Sequence, residues 1–293
     1  MALKIWRNKG WYYKYKKQNI FYIDEGSGEV LVLIHGFPTC SWAWHKLWPE
    51  LKKRFRLITL DMVGFGFSDK PLKYRYSIRD QANLFETILQ DLGVKHAHVL
   101  AHDYGNSVTQ ELLARYLERK NTMEKGLVLQ SACLLNGGLF PDLHHPLRIQ
   151  KLITGPLGKL LSPFTGRREL HKDFEHLSGK NTRPSEDEID EFWELLTFNG
   201  GTNTFHRLVG YAEERVTYSK HWLGALQKTD VPIRLLVGQA DTISGRQMAS
   251  RFADVIPYAD VITLNDIGHH PQMEAPEAVL KHYLAFVNIG KEV

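Results

Sequence analysis

HAHVLAHDYGNS, residues 96 to 107, runs from a strand through a sharp turn into a helix. The apolar run Val99 to Ala101 leads into His102-Asp103-Tyr104-Gly105, after which Val108, Leu112 and Tyr116 recur every fourth residue, the period of one helix face. A residue at such a turn projects its side chain above the sheet with a helix N-terminus directly behind it, the layout of a nucleophile elbow. The turn needs small neighbours because backbone and helix come close together, and Ala101 and Gly105 stand two residues either side of Asp103. Taken alone, the tetrapeptide reads first as an aspartate capping the following helix. The flanking chain reverses that preference.

Upstream, Val30 to Ile34 is a continuous apolar run, as expected of a strand buried on both faces of a parallel sheet, and it ends in His35-Gly36-Phe37-Pro38. Leu57 to Leu60 repeats the pattern and ends in Asp61-Met62-Val63-Gly64-Phe65-Gly66-Phe67-Ser68. Helices are expected over Trp44 to Leu51 and Ser77 to Leu92, and further strands over Leu127 to Leu129, Ile233 to Val237 and Val261 to Leu264. Trp11 to Tyr15 and Ile20 to Ile23 read as a hairpin whose solvated face carries Lys4, Arg7, Lys9, Lys14, Lys16 and Lys17. The alternation predicts an α/β protein with a mostly parallel sheet flanked by helices. Between about Asn136 and Trp222 no strand-like run occurs, while Ser185 with Glu188 forms a capping box ahead of the apolar face Ile189, Phe192, Trp193 and Leu196. The expected division is therefore a core over 1–135, an inserted helical cap over 136–222 and the rest of the core over 223–293.

The 293 residues suffice for a sizeable core, with about 75% of the extended-chain surface buried at this length. A composition of 43% hydrophobic and 24% charged residues indicates neither disorder nor a membrane class. The charged N-terminus and the lack of any run near the ~20 apolar residues of a span point to a cytoplasmic protein. Cys40 and Cys133 are too few for a disulfide framework and read as buried inert thiols. The net charge of +4 is spread without a nucleic-acid-binding module, so the expected partner is a small-molecule substrate, neither nucleic acid nor membrane, with a homodimer allowed for.

Two more titratable residues follow strand ends: Asp241, in Gly238-Gln239-Ala240-Asp241, and His269, in Gly268-His269-His270. The chain order nucleophile, acid, histidine makes Asp103, Asp241 and His269 a candidate triad. HGFP, the D-x-x-G-x-G-x-S run of Asp61 to Ser68, the elbow, G-x-x-D and GHHPQMEAPE together resemble the α/β-hydrolase superfamily over nearly the whole chain. An aspartate at the elbow is similar to the epoxide hydrolase and haloalkane dehalogenase branch. LDMVGFGFSDKP, HDYG, NGGLFP, TRPSE and Trp222-Leu223-Gly224-Ala225-Leu226 resemble the mesoderm-specific transcript proteins within it. The resemblance implies an oxyanion hole from the backbone N–H groups of Phe37 and Tyr104, and no cofactor or metal. A carboxylate that displaces a leaving group from saturated carbon forms an ester that water can cleave, whereas a serine would form a dead-end ether.

The leaving group separates the members of this branch. Where dehalogenases typically place halide-binding tryptophan and asparagine, this chain has Tyr104 and Phe37. HGFP is the epoxide hydrolase form, whose chemistry needs phenol donors from the cap. Tyr211, in LVGYAEER, matches the second such tyrosine; the region of the first, Leu147 to Leu152, contains none, leaving His144, His145 or His206 as substitutes. Tyr211, Trp193 and His206 are the expected substrate contacts, and Tyr218 reads as a surface residue. His96, His98 and His102 share one side of a strand, but no zinc-type motif accompanies them. The expected activity is epoxide hydrolysis, with haloalkane dehalogenation or non-catalytic ligand binding on the same fold as alternatives.

Overall fold

The computed structural model describes residues 2–143 and 166–288. Its strands are β1 (Trp11–Tyr15), β2 (Gln18–Gly26), β3 (Glu29–Ile34), β4 (Phe55–Leu60), β5 (His96–His102), β6 (Val128–Leu135), β7 (Ile233–Gly238) and β8 (Asp260–Leu264). They form one eight-stranded sheet in the order β1-β2-β4-β3-β5-β6-β7-β8. β2 pairs antiparallel with β1 and β4, and every other pair is parallel. Leu31, Val32, Leu33 and Ile34 of β3 are all buried, as their uninterrupted apolar run requires of a strand covered on both faces. The chain leaves β3 for β4 on one side and returns to β5 on the other, so the crevice at their carboxyl ends is the switch point where α/β sheets bind ligands.

The helices are α1 (Ala2–Lys9), α2 (Trp48–Leu51), α3 (Ile78–Asp91), α4 (Tyr104–Thr122), α5 (Arg167–Leu177), α6 (Glu186–Thr197), α7 (Phe205–Leu208), α8 (Tyr211–Lys228), α9 (Arg246–Val255), α10 (Pro271–Glu274) and α11 (Pro276–Val287). Among the described residues from 136 to 222 there is no strand. The Ser185–Glu188 capping box forms at the start of α6, whose Ile189, Phe192 and Leu196 are buried and whose Trp193 is half-buried. His144, His145 and Leu147 to Leu152 lie outside the described residues. Cys40 and Cys133 are free and buried. No described helix is long and apolar enough to cross a membrane.

Two local expectations need correction. The basic N-terminal residues do not share a hairpin face: Lys4, Arg7 and Lys9 lie on α1, which buries Leu3 and Trp6. The anchor is aromatic, with Trp6 edge-on to Trp42 and Trp48 at 5.5 and 4.9 Å. Of its four apolar residues Ala2 and Ile5 are exposed, and the single buried i, i+3 pair Leu3 and Trp6 is too short a stretch to establish a period in the sequence. The helix expected over residues 44–51 is instead a 3₁₀ turn at Ser41–Trp44 followed by the short α2. Pro49 has no N–H to return to the preceding turn, which interrupts the ladder.

Candidate active site

Asp103 sits between β5 and α4 with φ 45° and ψ −104°, a region that L-residues adopt at a cost of about 1–3 kcal/mol. Close packing holds it there. The Asp103 N–H donates to the Asn136 carbonyl (2.8 Å). A Cβ at Gly105 would collide with the Ile34 carbonyl, and one at Gly137 would lie 2.6 Å from Asp103 Cα. The side chain makes no helix-capping hydrogen bond, so the simpler capping reading does not apply. Instead Oδ2 accepts the Phe37 N–H at 3.1 Å, from the loop after β3. Tyr104, whose N–H is the other expected donor, is the first residue of α4.

Asp241, beyond β7, and His269, beyond β8, meet directly: the His269 Nδ1–H donates to Asp241 Oδ2 at 2.8 Å. The same oxygen accepts Asn136 Nδ2 (2.9 Å) and the Ser244 hydroxyl (2.5 Å), while Oδ1 accepts the Ile243 N–H (2.7 Å). Burial opposes the charged form of each partner, but their mutual attraction wins. Asp241 is held well below the usual carboxylate range by His269 and these donors. Burial would lower His269, yet Asp241, with a contribution from Asp103, carries it up to about 9. Asp103, Asp241 and His269 are only 4%, 4% and 3% exposed, so every charge here needs a partner.

A second set of contacts fixes the backbone. His102 Nε2–H donates to the His269 carbonyl (2.8 Å), and burial pushes His102 down to about 3, keeping its ring neutral. Burial likewise pushes His35 down to about 4; its Nδ1–H donates to the Gly36 carbonyl (2.9 Å) and its Nε2 accepts the Met62 N–H (3.1 Å). Glu274 gathers the histidine loop and the chain after α5. Its carboxylate accepts Gly268 N–H (2.8 Å), His270 N–H (3.0 Å), Gly179 N–H (2.9 Å) and the Thr182 hydroxyl (2.6 Å). The His269 N–H donates to the Leu177 carbonyl at 2.8 Å.

The opposite wall comes from α8. Tyr211 is buried, its ring 5.1 Å from Tyr104 and 5.9 Å from Phe37. Burial and the Asp103 charge raise its phenol above the ordinary tyrosine range. One turn further along α8, buried Arg215 reaches the elbow itself. Its Nη2 lies 3.1 Å from the Asp103 carbonyl and 3.4 Å from Oδ1, its Nε donates to the Ser107 hydroxyl (2.8 Å), and Nη1 has no hydrogen-bond partner among the described residues. Tyr218 stands apart, taking a 3.3 Å hydrogen bond from Arg79. Trp193 makes no ring contact with the site residues among the described residues. His206 is half-buried beside Phe205, whose ring lies 6.0 Å from Phe37.

His96, His98 and His102 do not converge: His96 is exposed, and His98 pairs with Ser131 (2.7 Å). The histidines that do approach are His102, His269 and His270, with one nitrogen from each within 4.8 Å of the others. Ligands sharing one tetrahedral zinc at ~2.0–2.1 Å stand about 3.3 Å apart, so this set would have to contract.

These features match known proteins. The model of the family described as "alpha/beta hydrolase fold" matches residues 29–156. The mesoderm-specific transcript protein of Mus musculus is 38% identical over 98% of this chain and 88% of its own length. The chain belongs to the α/β-hydrolase superfamily. A Mycobacterium tuberculosis protein named "Putative hydrolase LipZ" is 31% identical over 98% of both chains. In structure the chain is similar to the epoxide hydrolase CorEH, with a TM-score of 0.78 over 96% of this chain and 98% of that one; at 20% identity this likeness concerns the fold.

Three residues that the motifs do not mark, Asn136, Glu274 and Arg215, also belong to this arrangement. Asn136 carried a signal, a polar residue directly after a strand. Arg215 carried another, its i+4 spacing from Tyr211 on a helix.

Proposed function

We propose that this α/β hydrolase is a cofactor-free epoxide hydrolase that works through an ester on Asp103. Asp103 Oδ1 attacks an epoxide carbon; the ring C–O bond breaks, and its electron pair goes to the ring oxygen, which takes the Tyr211 phenol proton. The ester removes the Asp103 charge that helps hold a proton on His269. Once that proton has left to solvent, neutral His269 draws a proton from water, whose oxygen adds to the ester carbonyl while Phe37 N–H, and by resemblance Tyr104 N–H, stabilise the oxyanion. The intermediate collapses by breaking the Cγ–Oδ1 bond, and the departing diol oxygen takes the His269 proton. Asp241 keeps His269 oriented and supports its charge.

The observation that carries this reading is the strained Asp103, with its carboxylate on the Phe37 N–H and a buried phenol beside it. A serine-type acyl transfer is disfavoured, because an aspartate attacking an ester would form an anhydride. Dehalogenation has less support, since Phe37 and Tyr104 offer no side-chain N–H to a halide.

The test is intact-protein mass spectrometry of His269→Gln after incubation with terminal epoxides and primary alkyl halides. The expected result is an adduct on Asp103 with the full mass of the epoxide. Alkylation by halides alone would make the protein a dehalogenase. No adduct from either class overturns the nucleophile assignment and favours ligand binding without catalysis.

A further inference from the structure

Arg215 lies between the two groups that the proposed reaction uses first. Its Nη2 is 3.4 Å from Asp103 Oδ1, and its guanidinium carbon is 4.6 Å from the centre of the Tyr211 ring. The Nε bond to Ser107 anchors it to the first turn of α4. At 3% exposure it cannot rely on water to screen its charge, so it needs an anion within reach throughout the cycle. In the resting protein that anion is Asp103. Ester formation removes it.

We propose, on the epoxide hydrolase reading above, that Arg215 is the shared electrostatic partner of Asp103 and Tyr211. It pairs with the carboxylate at rest and with the Tyr211 phenolate once Asp103 has become an ester. The charge balances at each stage. Before attack the site holds Arg215 positive, Asp103 negative and Tyr211 neutral. After ring opening the ester is neutral, the ring oxygen carries the former phenol proton, and the negative charge rests on Tyr211. Hydrolysis leaves Asp103 as a carboxylic acid, whose proton returns to Tyr211 through solvent and restores the original pair. No large movement of the guanidinium is required, because from one position it lies 3.4 Å from the carboxylate and over the face of the Tyr211 ring, into which a phenolate charge delocalises.

The same geometry explains how one cap phenol can serve. Tyr211 is raised by burial and by the Asp103 charge, while Arg215 acts in the opposite sense. Esterification deletes the Asp103 contribution and leaves that of Arg215. Tyr211 thereby becomes a better acid as the ring oxygen begins to need its proton, and the lack of tyrosine in Leu147 to Leu152 ceases to be a defect. Nothing in LVGYAEER marks Arg215 as more than a helix-surface charge, but its position four residues after Tyr211 puts both on one face.

The experiment measures ester formation in the His269→Gln background with methyl-, chloromethyl- and trifluoromethyl-oxirane, a series in which the departing alkoxide becomes steadily less basic. Arg215→Met should slow alkylation by methyloxirane about 100-fold, within the range of general acid effects, and by trifluoromethyloxirane less than about 5-fold. In a Tyr211→Phe background the further loss should be under about 3-fold, because the two residues act as one unit. Arg215→Lys, which keeps the charge, should recover about tenfold over Arg215→Met and retain the same trend. An equal loss with all three epoxides, or full additivity with Tyr211→Phe, would show that Arg215 merely holds the elbow and overturns the proposal. If the His269→Gln parent itself forms no epoxide adduct, the epoxide hydrolase reading fails with it, and that failure is recognisable because Arg215 is then intact.

Discussion

The Asp241–His269 side of the site and the Tyr211–Arg215 side are held by different means. On the first, each group hangs from the end of a strand, and both oxygens of Asp241 are occupied by named donors. On the second, two residues one turn apart on α8 lean on the elbow through a ring, a guanidinium and one spare N–H pair. On the first side the acid itself is fully bonded; on the second, Arg215 Nη1 has no partner among the described residues. A saturated site suits a proton transfer that must recur in one geometry, and an unsaturated one suits charge that changes location.

The largest expected effect breaks the comparison at its centre, where both sides touch. Asp103→Ala should abolish turnover, a loss beyond about 10⁴-fold, and no adduct should form with any epoxide. The backbone strain at residue 103 is kept, but loss of the carboxylate leaves Arg215 buried without its anion, so stability should fall by about 3–5 kcal/mol. Residual turnover above a tenth of the parent rate would mean that another group attacks.

Asp241→Asn probes the saturated side alone. Alkylation of Asp103 should persist while ester decay slows about 10³- to 10⁴-fold, measured by single-turnover quench and mass spectrometry. The same variant has a stability signature. His269 is raised in the folded protein to about 9 from an ordinary value near 6.5, so its pairing with Asp241 stabilises fully below about pH 6.5 and is lost as pH rises through 9. The melting temperature of the parent should therefore fall between pH 6.5 and 9, and Asp241→Asn should flatten that decline. An unchanged slope would mean that the pair carries no protonation-linked stability.

The contrast also explains what could be read from the chain. Strand-end residues are legible because each follows an apolar run of fixed type and is bracketed by glycine: Asp103 by its elbow, Asp241 and His269 by Gly238 and Gly268. The sheet and its parallel core follow from the same runs. Arg215 could not be singled out, since an i, i+4 pair on a helix looks the same whether it lines a site or covers a core. Asn136 escaped for a different reason: its function is to touch Asp103 through its backbone and Asp241 through its side chain, a convergence that only the folded sheet creates. The α1 helix was invisible because tryptophan packing, rather than periodicity, stabilises it.

The smallest expected effect concerns the tie between the histidine loop and the chain after α5. Glu274 Oε2 accepts from Gly268, Gly179 and Thr182, and Oε1 from His270. In Glu274→Gln the amide oxygen can occupy the place with three donors, but the NH₂ group then faces the His270 N–H, donor against donor. One charge-assisted bond is lost and a buried donor is left unpaired, at a cost of about 1–3 kcal/mol. For a domain of this size that lowers the melting temperature by several degrees. Catalysis should suffer less: His269 loses only a minor contribution from Glu274 to its raised proton affinity, and its bond to Asp241 remains. Ester decay should slow less than about tenfold and alkylation should not change. A fall in alkylation as well would mean that the tie to the chain after α5 positions the Tyr211–Arg215 wall too, and that the two sides of the site are mechanically one.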